Sequence, residues 1–76
     1  MYFVYSLKCC DGYYVGCTDD LASRLKRHEK GDVPATKDRR PLELDFYIAI
    51  GDKYKAFDLE KYLKSGSGRA FAKKHL

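Results

Sequence analysis

Residues 2–16, Tyr2-Phe3-Val4-Tyr5-Ser6-Leu7-Lys8-Cys9-Cys10-Asp11-Gly12-Tyr13-Tyr14-Val15-Gly16, decide the fold. Tyr2, Phe3, Val4 and Tyr5 carry the aromatic and β-branched side chains that pack well on a pleated surface, so residues 1–8 are expected to be extended. Cys10-Asp11-Gly12 follows, and Asp-Gly between two such runs is a strong hairpin signal. Tyr13, Tyr14 and Val15 resume the extended chain. The first eighteen residues are therefore expected to form an antiparallel hairpin, with Gly16 marking a bulge or a point of close backbone approach.

Outward from the hairpin, Thr18-Asp19-Asp20 offers helix N-caps with negative charge at the positive end of the dipole. The helix is expected over residues 21–30, with Gly31 as its C′ residue. Leu21, Leu25 and His28 share one stripe, and Arg24 lies beside it, four residues before His28. Residues 32–41, with two prolines and many charges, read as a loop. Residues 42–50 read as a third strand, ended by Gly51-Asp52. A second helix is expected over residues 53–64, with Ala56, Leu59, Leu63 and Tyr62 inward. Gly66-Ser67-Gly68 should break it, and Ser67 should cap a short last helix through Lys74. The order β-β-α-β-α-α predicts an α+β fold: a small three-stranded antiparallel sheet flanked by helices.

A chain of 76 residues fits one domain, expected to span residues 1–76, and leaves no room for a second. Hydrophobic residues make up 45% of it, which argues against disorder. No apolar run nears the ~18 residues of a membrane span. Residues 1–8 lack the basic start and small-residue cleavage site of a signal peptide, so a cytoplasmic location is expected. Cys9, Cys10 and Cys17 cannot all pair within the chain, and reduced thiols are the simplest reading. Adjacent strand residues point to opposite faces, so Cys9 and Cys10 would not converge on a zinc ion.

Net charge is +4, unevenly spread. Residues 1–52 hold 8 basic and 9 acidic side chains, whereas residues 53–76 hold 7 basic and 2 acidic ones. A second basic group, Arg24, Lys26, Arg27, Lys30, Lys37, Arg39 and Arg40, lies inside the first stretch. Two basic stretches on a small domain suit a polyanion, through counterion release. A merely solvated surface accounts for the charge equally well.

Three features recur in one order: Phe3-Val4-Tyr5 … Tyr14-Val15-Gly16, then Arg24-x-x-x-His28, then Ala56-x-x-x-Glu60-x-x-x-Lys64. This order resembles the GIY-YIG endonuclease superfamily over nearly the whole chain, most closely its short standalone members and the UvrC N-terminal type of catalytic domain. The leading Gly-Ile of the first motif is Phe3-Val4 here, and Val15 replaces Ile in the second. The residue after His28 is Glu29, where standalone relatives often carry an amide.

The resemblance implies a metal-dependent phosphodiester hydrolase. It assigns Tyr5 as general base, Tyr14 as the hydroxyl that positions water or phosphate, and His28 as an orienting or phosphate-binding group. Arg24 would stabilise charge on the phosphate through paired hydrogen bonds. Glu60 would hold one Mg²⁺ or Mn²⁺ ion acting as Lewis acid. Gly16, Arg27, Lys37, Arg39, Arg40, Lys64, Arg69 and Lys73 are the expected contacts to nucleic acid, with DNA preferred over RNA and structure read in preference to sequence. Without the resemblance, the tyrosines read as core aromatics and Arg24 as a surface arginine. His28 then reads as a cation at a helix C-terminus, and Glu60 as an i, i+4 partner of Lys64. The competing functions are a nucleic-acid-binding module without activity and a protein-interaction domain with a basic tail. Pairing into a homodimer has no support in the sequence.

Overall fold

The structure is a computed structural model and describes all of residues 1–76. The elements are β1 (Tyr2–Cys9), β2 (Gly12–Thr18), α1 (Leu21–Lys30), a 3-10 turn (Lys37–Arg39), β3 (Glu43–Ile50), α2 (Lys53–Lys64) and α3 (Gly66–His75). The strands form one antiparallel sheet in the order β2-β1-β3, so the fold is α+β in the expected element order.

β1 is central and is covered on both faces, and this explains why four consecutive residues, Val4 to Leu7, are buried in it. On one face Val4 joins Ala56 and Leu63 of α2, with Tyr2, Val15, Cys17, Phe46, Ile50, Leu59 and Ala72 packed around them. On the other, Tyr5, Leu7 and Cys9 meet Tyr14, Leu21, Leu25 and Leu42. The alternation of the strand thus feeds two small cores rather than one.

The first two helices start where a carboxylate can accept backbone N–H groups. Asp20 accepts from Ser23 N (3.1 Å) ahead of α1, and Asp52 accepts from Tyr54 N (2.8 Å) and Lys55 N (3.1 Å) ahead of α2. Gly31 closes α1 in the left-handed conformation (φ 80°, ψ 21°).

Four local expectations change. The hairpin loop is Cys10-Asp11, and Gly12 (φ 140°) already pairs with Cys9 at the head of β2. Gly16 is not bulged; it pairs regularly with Tyr5, and the register shift instead falls where β3 passes Ser6 and Leu7, leaving Asp45 unmatched. Ser65, not Ser67, separates the last two helices. It is extended (φ −79°, ψ 163°), and its hydroxyl accepts from Gly68 N at 3.1 Å, so one residue suffices for the break and the glycines form the first turn of α3. Tyr62 is exposed rather than inward, and Phe71 packs edge-on against it (centroids 6.3 Å) outside the core.

Candidate active site

Tyr5 and Tyr14 project from neighbouring strands onto the face that α1 covers, because Leu7 opposite Tyr14 and Tyr5 opposite Gly16 alternate in phase. His28, at the end of the α1 stripe, meets both rings: centroids lie 5.5 Å from Tyr5 and 5.3 Å from Tyr14, in edge-on contacts. The two tyrosine rings are themselves 6.4 Å apart. Gly16 is needed here for a local reason. A Cβ on it would stand 2.5 Å from both Cζ and the hydroxyl oxygen of Tyr5, so any side chain would displace that ring. The close approach expected at Gly16 is thus made by Tyr5.

The two tyrosines differ sharply. Tyr5 is fully buried, and its hydroxyl oxygen lies 2.7 Å from His28 Nε2. Burial pushes its pKa up to about 12, with Tyr14 adding to the rise, while the Arg24 guanidinium pulls it down and Glu60 raises it. Tyr14 is half-buried, and its hydroxyl bonds to nothing in the protein. No buried polar side-chain atom lacks a partner, so that hydroxyl is open to solvent. A water molecule can reach Tyr14 and not Tyr5, the reverse of the division expected from the resemblance.

His28 is 1% exposed, and its other nitrogen, Nδ1, lies 2.7 Å from Thr36 Oγ1. With both ring nitrogens engaged inside the protein it cannot also bind phosphate, and it is no surface cation at a helix end. Burial lowers its pKa below the ordinary 6.5, and Arg24 and Arg27 on its own helix lower it further. Tyr5 and Tyr14 are the groups that face it from the sheet. The unfolded chain therefore binds this proton more readily than the folded one. Stability should be intact above about 6.5 and should fall as pH drops through the depressed folded value. Thermal melts from pH 7.5 to 5 check this, with His28→Gln expected to flatten that part of the profile.

Arg24 lies on α1 beside the tyrosines and forms no ion pair; the two salt bridges of the protein are Arg39–Asp11 (2.7 Å) and Lys64–Glu60 (3.1 Å). Glu60 reaches the same place from α2, where its charge and that of Arg24 act in opposite directions on Tyr5 and on Cys17. Burial first, and Glu60 second, raise the Cys17 thiol, and burial raises Cys9, the opposite of what an activated thiol requires. Lys64 holds Glu60 and sets its Nζ 5.9 Å from the centre of the Tyr14 ring. Such an i, i+4 pair contributes only about 0.3–0.5 kcal/mol, so it yields readily to a stronger partner.

No three His, Cys, Asp or Glu side chains converge on a point. Glu60, 24% exposed, therefore offers a single-carboxylate anchor. That fits a mostly hydrated Mg²⁺ or Mn²⁺ completed by substrate phosphate, and does not fit an all-protein cage.

The other basic residues expected to meet nucleic acid divide into two groups. Arg39 donates to Asp11 and to Tyr13 O, and Arg40 donates to Lys37 O and Glu29 O; these tie the loop to the hairpin and to α1. Arg69 donates to Lys64 O, and Lys64 is held by Glu60. Arg27, Lys37 and Lys73 make no side-chain hydrogen bond and stand exposed. Arg69 and Lys73 also line a cleft of about 410 Å³ between the sheet and α3, floored by Val15, Phe46 and Leu63. Thr36 is the site residue that the sequence reading missed: a lone threonine in a charged, proline-containing loop carries no periodic signal.

A small antiparallel sheet carrying a tyrosine pair, with an arginine from the first helix and a glutamate from the second, defines a known class of catalytic domain. The family model for the GIY-YIG catalytic domain matches residues 1–74, and the chain belongs to this nuclease family. It is similar to the UPF0213 protein YazA of Bacillus subtilis, 42% identical over 65 residues that cover 83% of this chain and 66% of YazA. A UPF0213 protein of Lacticaseibacillus paracasei is 37% identical, covering 83% of this chain and 73% of its own. One from Staphylococcus aureus is 35% identical, covering 84% and 80%. The chain thus spans about two thirds of the length of the first of these relatives. No solved structure matches it. No helix is long and apolar enough to cross a membrane.

Proposed function

We propose that the chain is a metal-dependent endonuclease that hydrolyses phosphodiester bonds, acting on DNA structures of the kind met in repair or processing. The observation that supports this most is the convergence, in a GIY-YIG chain, of an arginine without an ion pair and a glutamate on one tyrosine pair. Cleavage builds negative charge on the phosphate oxygens, and Arg24 is the cation free to meet it with two charge-assisted hydrogen bonds. Tyr14 offers the accessible hydroxyl, which positions the attacking water and, after giving its own proton to solvent, takes up that of the water. Tyr5 and His28 form a rigid polar wall behind Tyr14. A divalent ion at Glu60, Mg²⁺ or Mn²⁺, would neutralise the scissile phosphate and ease departure of the 3′ oxygen. Arg27, Lys37 and Lys73 are the cations free to hold the backbone on either side, contacts that carry no base information.

The test is a cleavage screen with Mg²⁺ or Mn²⁺ over single-stranded, nicked, flapped and branched DNA and their RNA counterparts. Tyr14→Phe is expected to slow cleavage about 10²- to 10⁴-fold with little change in stability. Tyr5→Phe is expected to cost about 1–3 kcal/mol of stability by leaving His28 Nε2 unpaired. Full activity in Tyr14→Phe with none in a folded Tyr5→Phe protein would restore Tyr5 as the base. A folded protein that cuts nothing in the panel, yet binds with strong salt dependence, would support the inactive binding module instead.

A further inference from the structure

We propose that Thr36 is a positioning residue of this site, fixing which nitrogen of His28 carries the proton and so the direction of the hydrogen bond at Tyr5. The proposal deepens the nuclease reading above and rests on it for its catalytic consequence. Thr36 is fully buried in the loop after α1, although the site around it is otherwise built of rings and aliphatic side chains. Its backbone is already engaged: its N–H donates to Val33 O (3.1 Å), and its carbonyl accepts from Arg39 N (3.0 Å). The hydroxyl is therefore free for His28 Nδ1, at 2.7 Å, with Val33 O at 3.5 Å as its further neighbour.

A neutral imidazole has one donor and one acceptor nitrogen, so the chain Tyr5–His28–Thr36 runs in one of two directions. With the proton on Nδ1, Tyr5 O–H donates to Nε2, Nδ1–H donates to Thr36 Oγ1, and the Thr36 hydroxyl turns to the Val33 carbonyl. Each buried donor then has an acceptor. With the proton on Nε2, the ring donates to Tyr5 and Thr36 donates to Nδ1. The Tyr5 proton is then left in a closed space where no other acceptor bonds to it. An unplaced buried donor is the costlier arrangement, so the geometry selects the Nδ1–H form.

The selected form directs the Tyr5 proton to His28 and leaves the oxygen lone pairs for the Arg24 guanidinium beside it. Reversal would occupy a lone pair with the ring N–H and leave the Tyr5 proton without an acceptor inside the protein. The bond made by one imidazole nitrogen commonly sets the state of the other. Here a threonine does so from outside the catalytic set.

The experiment is ¹⁵N NMR of the histidine rings in the full chain, on wild type, Thr36→Val and Thr36→Ser, at a pH where His28 is neutral. Exposed His75, which packs on Phe71 and makes no side-chain hydrogen bond, serves as the reference ring. Wild type should show a protonated Nδ1 and a bare Nε2 at His28. Thr36→Val, similar in shape but without the hydroxyl, should move towards the Nε2–H form, and Thr36→Ser should return the wild-type pattern. Cleavage of the best substrate from the screen should fall roughly ten- to hundredfold in kcat in Thr36→Val, with KM little changed, and recover in Thr36→Ser. A bare Nδ1 in wild type, or an unchanged ring in folded Thr36→Val, overturns the proposal whatever the activity. Loss of tautomer control without loss of cleavage overturns its positioning role. A wild-type ring as expected in a protein that cuts nothing places the failure in the nuclease reading.

Discussion

Arg24→Ala is expected to reduce cleavage by about 10²- to 10³-fold or more while leaving the fold and most of the substrate binding in place. The change removes a side chain that forms no salt bridge. Alanine is also at least as good a helix former at that position of α1, so stability should change little. On the proposed function, binding would rest on several other cations, Arg27, Lys37 and Lys73 among them, and would lose one contact. What would disappear is the charge at the point where the phosphate becomes more negative. Electrostatic help aimed at a transition state shows as lost kcat rather than raised KM. Single-turnover cleavage beside a gel shift separates the two quantities. Equal cleavage by the variant would remove Arg24 from the mechanism.

Gly68→Ala should be the most damaging small substitution to the fold. A Cβ there would overlap the carbonyl carbon and oxygen of Tyr62 and stand 2.7 Å from Leu63 Cα. These are backbone atoms, so no rotamer change relieves the clash. The Tyr62 carbonyl is also fixed from the other side, accepting from Ser65 N at 2.9 Å and from the Ser65 hydroxyl at 2.5 Å. α3 would have to lift away from α2, loosening Leu63 and Ala72 in the core beneath. A cost on the order of 3 kcal/mol would lower the melting temperature by about 12–24 °C in a domain of this size. Differential scanning calorimetry measures it. An unchanged transition would show that the α2–α3 corner is not the tight joint described here.

Much of this architecture is legible in residues 2–30, because strand alternation, a carboxylate cap and a glycine stop all act locally. The cap of α3 is not legible in the sequence, because Ser65 and Ser67 both precede plausible helical turns. Only the contact between Gly68 and Tyr62 distinguishes them, and it depends on how two helices meet. The same limit applies in the site. The motif spacing brings Tyr5, Tyr14, Arg24, His28 and Glu60 into view, but not which tyrosine is sealed. Sealing depends on Gly16 lying flat under the Tyr5 ring and on His28 turning inward to Thr36, eight residues away in a loop without periodicity. Arg39 and Arg40 looked like free cations for the same reason, since their acceptors are hairpin and helix groups distant in the chain.

The division of the interior into two clusters has a consequence for how a change in one half reaches the other. Tyr5, Tyr14 and His28 gather over the cluster beneath α1, whereas Glu60 rides on α2 above the cluster of Val4, Ala56 and Leu63. Damage to one half does not automatically spoil the other. Changes in α2 and α3 therefore reach the tyrosine pair mainly through one seam, where Lys64 stands 5.9 Å from the centre of the Tyr14 ring and Glu60 acts on Tyr5.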